Sequence, residues 1–207
     1  MPETLRSGNP KSYAPAAWPE RKPPAKALHG FTTHSGAVLD LAGPTPADVR
    51  IEDIAMSLSR LCRANGHLDR PHTVAEHSLR VSWRLAHRGD RLAMIGLLHD
   101  AAEAYMGDCP TPLKHMLVGS EMCIRDRLKH MLGERWRRIE DRVRWAIHEY
   151  AGIGIAGRWE LDVVAAVDHS ETREELESPY DDPLDCESAR IQFLQEYRRL
   201  QARLRDR

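Results

Sequence analysis

The chain has 207 residues, with 30 Lys and Arg against 31 Asp and Glu and a net charge of −1. That length suits one domain with its own core, and the near-zero charge gives no electrostatic basis for binding a nucleic-acid polymer or a membrane surface. Cys62, Cys109, Cys123 and Cys186 are far apart with no CxxC spacing, and no apolar run reaches membrane-spanning length or resembles a signal peptide, so a cytoplasmic protein is expected.

Residues 1–28 carry Pro2, Pro10, Pro15, Pro19, Pro23 and Pro24 among small and charged residues. Such a composition cannot pack a core and reads as a disordered arm, with Trp18 its one group suited to docking. Phe31 to Leu41 reads as extended, with Gly36 marking a turn. Pro44-Thr45-Pro46-Ala47-Asp48 then announces a helix in which Ile51, Ile54, Ala55, Leu58 and Leu61 repeat at helical spacing to about Arg63. Ala64-Asn65-Gly66-His67 breaks it. The next helix starts at Thr73, a residue suited to an N-cap, and its inner stripe is Val74, His77, Val81 and Leu85. A turn near Arg88-Gly89-Asp90 folds the following helix back on it.

That following helix ends in Leu97-Leu98-His99-Asp100-Ala101-Ala102-Glu103-Ala104-Tyr105-Met106-Gly107-Asp108. Met94, Ile95, Leu97, Leu98, Ala101 and Ala102 surround it with apolar groups, so its ionisable side chains should be buried. Buried charges are costly unless paired, hydrogen-bonded or bound to a metal. His99 and Asp100, adjacent on a helix, could grip one ion from two sides, with Glu103 on the same face as a further carboxylate. An adjacent His-Asp pair also arises by chance, so the remaining ligands must come from elsewhere. His77, on an apolar face, is either a satisfied core histidine or the third ligand. Asp168, which ends the apolar run Val163-Val164-Ala165-Ala166-Val167, is either a cap or ion-pair partner or the fourth ligand.

Downstream, Cys109-Pro110-Thr111-Pro112-Leu113-Lys114 is too proline-rich for helix. Leu113-Lys114-His115-Met116-Leu117 recurs identically as Leu128-Lys129-His130-Met131-Leu132, with nothing around either copy repeating. The string between, Val118 to Arg127, resembles a translated sequencing-adapter fragment. Residues 113–127 or 118–132 therefore read as an artefactual duplication that either loops out or extends the following helix. Charged amphipathic helices follow: Glu134–Ala151, facing inward through Trp136, Ile139, Val143 and Ala146; Arg158 to about Leu176, with Leu161, Val164, Ala165 and Asp168 on one side; and Cys186 to about Leu204, packing through Ile191, Phe193, Leu194 and Tyr197. Most of the eleven histidines, among them His87, His115, His130 and His148, sit in charged segments and should be solvated. The expected domain, 29–207, is all-α.

The series His77…His99-Asp100…Asp168 resembles the ligand set of HD-domain metal-dependent phosphohydrolases, in particular the small bacterial and phage branch related to 5′-deoxynucleotidases. Ile51-Glu52-Asp53-Ile54-Ala55, Leu61-Cys62-Arg63, Gly66-His67, Val74-Ala75-Glu76-His77-Ser78, His99-Asp100-Ala101-Ala102-Glu103 and Gly107-Asp108-Cys109-Pro110-Thr111-Pro112-Leu113-Lys114 support the likeness, which spans about Phe31 to Leu176. The resemblance implies a helical HD bundle and one divalent ion (Mn, Co, Mg, Zn or Fe) held by His77, His99, Asp100 and Asp168. It gives Glu103 and Asp108 the catalytic roles of orienting water and moving a proton. Arg63 would contact phosphate in place of the Arg-Trp-like pair of this branch, of which the Trp is missing here, and His67 and Lys114 are further substrate contacts by position. The implied activity is hydrolysis of a nucleotide, first a (deoxy)nucleoside 5′-monophosphate, alternatively a triphosphate; a non-catalytic nucleotide-binding module is the other class. A homo-oligomer, dimer or higher, is also implied.

Overall fold

The computed structural model describes residues 29–118, 124–177 and 182–206. The expected arm over 1–28 and the centre of the expected insert, residues 119–123, lie outside them. The described chain is mostly helical. A two-stranded antiparallel hairpin, β1 (Gly30–Thr32) and β2 (Val38–Asp40), turns at Gly36 and realises the extended reading of this stretch. Asp53 pins its turn, accepting from the Thr33 and Ser35 hydroxyls at 2.7 Å each and from the Ser35 N–H at 2.8 Å.

The helices are α1 (Ile51–Leu58), α2 (Val74–Leu85), α3 (Asp90–Leu97), α4 (Glu103–Met106), α5 (Thr111–Val118), α6 (Ile124–Ala151), α7 (Arg158–Glu177) and α8 (Cys186–Arg205). Among the described residues, none is long and apolar enough to cross a membrane. Thr73 caps α2 by accepting the Glu76 N–H at 3.1 Å. The stripe Val74, His77, Val81 and Leu85 is fully buried, as its period requires. Gly89, at φ 117°, supplies the left-handed backbone that lets α3 fold back on α2. The two pack closely because Gly96 has no side chain: a Cβ there would sit 2.6 Å from Leu85 Cδ1. Leu58, Leu79, Leu85, Met94, Ile95, Leu97, Phe193 and Leu200 form the middle of the core, closed by Val143, Ala146 and Ile147 of α6.

Several boundaries differ from expectation. The first helix ends at Leu58 rather than near Arg63, because the chain next pairs with the segment before α2: the Arg63 N–H donates to the His72 carbonyl (2.8 Å) and the Val74 N–H to that of Leu61 (2.9 Å). The proline-rich stretch is helical from Thr111, since Pro112 falls in the first turn, where no N–H is required. The helix expected from Glu134 begins at Ile124, so the second copy of the repeat adds turns to α6. His148, expected in solvent, is buried at the inner face of α6 beside Ile147, whereas His87 is exposed and the side chains of His115 and His130 lie outside those described. On α7, Leu161 and Ala165 face out; the inward stripe is Val164, Asp168, Glu171 and Glu175, whose acids meet His77, His72 and Arg84. On α8, Ile191 is exposed, and the buried series is Ala189, Phe193, Tyr197 and Leu200.

Candidate metal centre and its surroundings

Three separate segments deliver the expected donors to one place. The cap at Thr73 sets His77 at the end of the first turn of α2. Asp168 comes from the middle of α7. His99 and Asp100 do not stand on a continuing helix: α3 stops at Leu97, and the next bonds are tight, Ala101 N–H to Leu98 carbonyl (3.1 Å) and Glu103 N–H to Asp100 carbonyl (2.9 Å). The Gly96 carbonyl, which a longer helix would give to the Asp100 N–H, instead accepts from His99 Nδ1 at 2.7 Å. The side chain of the site thus ends its own helix.

The resulting distances are short throughout. His77 Nε2 lies 3.0 Å from Asp168 Oδ1 and 3.9 Å from Asp100 Oδ2; His99 Nε2 lies 3.1 Å from Asp100 Oδ2 and 3.7 Å from Asp168 Oδ1. Two ligands of one ion at ~2.1 Å stand roughly 3.0–3.4 Å apart at tetrahedral or octahedral angles; the 3.0 and 3.1 Å spacings fall in that range, and the 3.7 and 3.9 Å spacings are wider. Both imidazoles have their Nδ1 occupied, His99 by the Gly96 carbonyl and His77 by Glu175 Oε1 at 2.6 Å. A carbonyl or carboxylate only accepts, so Nδ1 carries a proton in both rings; His77 Nε2 in turn faces Asp168 Oδ1 at hydrogen-bonding distance, where a second proton or a shared cation would sit. His99 Nε2 is a buried atom without a hydrogen-bond partner. His77, His99 and Asp100 form one cluster of ligand atoms compatible with a metal ion.

Electrostatics favour the same reading. Asp100 and Asp168 place two negative charges at a largely buried point, which a divalent cation would balance. Protons supply that balance otherwise: burial alone would lower the pKa of His99, yet Asp100 and Asp168 push it up to about 10. Burial alone would raise Asp100 and Asp168, but the histidines, joined by Arg63 at Asp100, hold both carboxyls far below the ordinary range. Side-chain exposure climbs from 0% at His77 through 11% at His99 and 19% at Asp100 to 28% at Asp168, so solvent reaches the donors from the carboxylate side.

Arg63 joins this group. Its guanidinium donates to Thr172 Oγ1 at 2.8 Å and stands 3.5 Å from Asp100 Oδ2 and 3.4 Å from Glu175 Oε2. Glu103 is buried, with Oε1 3.5 Å from Lys114 Nζ and Oε2 without a hydrogen-bond partner. Burial first, then the charges of Asp100 and Asp108, push its carboxyl up to about 9. Burial also raises Asp108, which lies within electrostatic reach of Arg63, Asp100, Lys114 and His77. Among the described residues no hydrogen bond or ion pair joins Glu103 to the four donors; its direct partner is Lys114. His67 is exposed at the end of the turn after Arg63 and is not brought into the cluster. A surface groove lined by Arg84, Arg88, Trp159, Asp162 and Val163 involves none of these groups.

No family model matches the chain. Two curated relatives are similar to parts of it. An uncharacterized protein of Rhodobacter capsulatus is 43% identical over 100 residues, covering 45% of this chain and 51% of the relative. The uncharacterized protein YfdR of Escherichia coli K12 is 44% identical over 70 residues, covering 34% of this chain and 38% of the relative. The match thus spans about half or less of each relative's length.

Residues that sequence reasoning did not single out complete the surroundings. Glu175 contacts His77, His72 and Arg63; Thr172 contacts Arg63 and, at 3.4 Å, Asp168. Asp168, Thr172 and Glu175 follow one another at i, i+4 and i+7, so a single polar face of α7 was the available signal. His72 lies next to the cap Thr73, and its place follows from the pairing of Cys62 with Thr73.

Proposed function

We propose that this chain is an HD-domain metal-dependent phosphohydrolase acting on nucleotides, with (deoxy)nucleoside 5′-monophosphates as its first substrate class. The observation that carries the reading is the convergence of His77 Nε2, His99 Nε2, Asp100 Oδ2 and Asp168 Oδ1, with each imidazole locked through Nδ1. These four residues would hold one divalent cation. When bound, such an ion polarises a phosphoryl oxygen and acidifies water.

The chain's own groups take the remaining tasks. Arg63 stands beside Asp100 with a planar fork suited to phosphate oxygens, and its contacts to Asp100 and Glu175 are long, 3.5 and 3.4 Å, so the guanidinium retains donor capacity. Its position at the edge of the donor set orients a phosphoester toward the buried histidines. Glu103, whose carboxyl is pushed up to about 9 by burial and by Asp100 and Asp108 in the metal-free protein, would hold a proton to give to the departing 5′ oxygen. Lys114, paired with Glu103, adds positive charge where that oxygen leaves. Asp108, the remaining carboxyl within electrostatic reach of Arg63, would orient water.

The test is a panel of nucleoside mono- and triphosphates assayed with Mn²⁺, Co²⁺, Mg²⁺ and Zn²⁺, with released phosphate and triphosphate measured separately. Metal-dependent phosphate release from monophosphates is expected. Release of intact triphosphate would move the assignment to a triphosphohydrolase. Metal uptake with no product from any nucleotide would replace the enzyme with a nucleotide-binding module.

A further inference from the structure

Behind the four donors lies a second cluster, centred on Glu175, to which the mechanism above assigns no role of its own. Glu175, on α7, is buried and directs Oε1 at two imidazoles at once: His77 Nδ1 at 2.6 Å and His72 Nε2 at 2.8 Å. Its other oxygen, Oε2, stands 3.4 Å from Arg63 Nε. His72 is held from its far side by Glu76 Oε2 at 3.2 Å, and that same oxygen accepts the Leu184 N–H at 3.1 Å. His72, His77 and Glu175 are close enough to form a candidate metal cluster of their own. The distances argue otherwise. Separations of 2.6 and 2.8 Å are those of charge-assisted hydrogen bonds, shorter than the roughly 3.0–3.4 Å between ligands of a common ion.

We infer that Glu175 is a positioning residue that fixes the Nδ1–H form of His77 and sets Arg63 at a constant offset from it. The inference rests on the metal-site reading for its consequence, since a His77 held in this form turns Nε2 to Asp168 and Asp100. The carboxylate reaches both the deepest donor of the site and its phosphate-directed arginine. It therefore couples the two through one rigid helix, α7, which also bears Asp168 and Thr172. An imidazole without such a partner can rotate or move its proton to Nε2, and either change removes a ligand atom.

The experiment compares full-length wild type, Glu175→Ala and Glu175→Gln in two measurements. Histidine ring ¹⁵N–¹H NMR of the metal-free protein reads the proton on His77 Nδ1, and calorimetric titration with Mn²⁺ reads affinity, with circular dichroism to establish folding. Glu175→Ala is expected to lose the hydrogen-bonded Nδ1–H signal and to bind Mn²⁺ about 10–100-fold more weakly. Glu175→Gln, which keeps an acceptor oxygen without the charge, should retain the signal at a less downfield position and recover most of the affinity; this variant also serves if the alanine protein does not fold. Unchanged Nδ1–H and Mn²⁺ binding in folded Glu175→Ala, or an Nδ1–H resonance of Glu175→Gln at the wild-type position, would overturn the inference, as would a lowered melting temperature with wild-type Mn²⁺ affinity in the folded alanine protein. A wild type that takes up no Mn²⁺ would sink the metal-site reading instead; the Nδ1–H signal and its response to Glu175→Ala would then decide the role of Glu175 alone.

Discussion

Asp168 Oδ1 stands 3.0 Å from His77 Nε2, across the packing of α7 on α2 and 91 positions apart in the sequence. A carboxylate so placed either shares a proton with the imidazole or shares a cation with it. Asp168→Asn keeps the shape and removes the charge. Because Asp168 is partly exposed at the rim, the variant should fold, while Mn²⁺ affinity drops at least about tenfold as a hard anionic ligand becomes an amide. Wild-type Mn²⁺ affinity by titration calorimetry would remove Asp168 from the ligand set.

Arg63→Lys tests the proposed phosphate contact. Arg63 already donates to Thr172 at 2.8 Å while standing beside Asp100 and Glu175. A lysine keeps the charge but not the fork, and cannot hold Thr172 and a phosphate oxygen from fixed directions together. KM for the nucleotide should rise about tenfold or more, the size of one lost bidentate contact, with a smaller change in kcat. An unchanged KM would assign the phosphate to another group, with Lys114 the next to vary.

The helical class and the convergence of His77, His99, Asp100 and Asp168 were legible because each of these residues interrupts an apolar pattern in which a charge needs a reason. The convergence needs no more than the α2–α3 turn at Gly89 and a third helix brought alongside. Glu175, Thr172 and His72 were not legible for the opposite reason: they sit in polar surroundings, and only the rotation of α7 about its axis decides whether such a face is inside. The apolar run Val163–Val167 pointed to Leu161 and Ala165 as inner residues; instead the acids of α7 turn inward, where His77, His72, Arg63 and Arg84 face them. The end of α3 escaped for a local reason, since a side chain that captures its own Gly96 carbonyl leaves no mark on hydrophobic periodicity.

Gly96 links packing to that site. A Cβ at this position would meet Leu85 Cδ1 at 2.6 Å and Val81 Cγ1 at 3.3 Å, both on fully buried side chains with little room to move. Gly96→Ala should destabilise the fold by about 1–3 kcal/mol through overpacking, despite the better helix propensity of alanine. The same shift moves the carbonyl that orients His99, so Mn²⁺ affinity should fall with it. Urea unfolding and Mn²⁺ titration check both; a variant as stable as wild type would show that α2 and α3 can separate freely.

His72 gives a pH signature. Burial alone would lower its pKa, but its hydrogen bonds and charge interactions with Glu175 and Glu76 push it up to about 9, above the ordinary 6.5. The folded state therefore holds a proton that the unfolded chain gives up between these values. The stabilisation is full below pH 6.5 and is lost as pH rises through about 9. In the metal-free protein, His72→Gln should be less stable than wild type at pH 6, by an amount that shrinks by roughly 1–3 kcal/mol by pH 9.5. A gap constant with pH would mean that His72 is neutral in the fold.

Glu103 should oppose stability and serve activity. Its carboxyl is pushed up to about 9 by burial and by Asp100 and Asp108, against an ordinary value of 4.5. Here the unfolded chain releases a proton that the folded protein keeps, so wild-type stability declines as pH rises from about 4.5 and levels off above about 9. Glu103→Gln has no proton to release and keeps the shape. In the metal-free state it should equal wild type near pH 4 and exceed it by roughly 1–3 kcal/mol at pH 8. Turnover should move the other way, falling about 100-fold or more, because an amide cannot donate a proton to the leaving oxygen. Mn²⁺ binding should stay within a few-fold of wild type, since the buried carboxyl pairs with Lys114 rather than with the four donors. Urea unfolding at both pH values, Mn²⁺ titration and phosphate release, measured on one preparation, separate these effects. A Glu103→Gln protein with wild-type turnover would take the proton-donor role from Glu103 and give it to Asp108, the other carboxyl near Arg63 with a raised pKa.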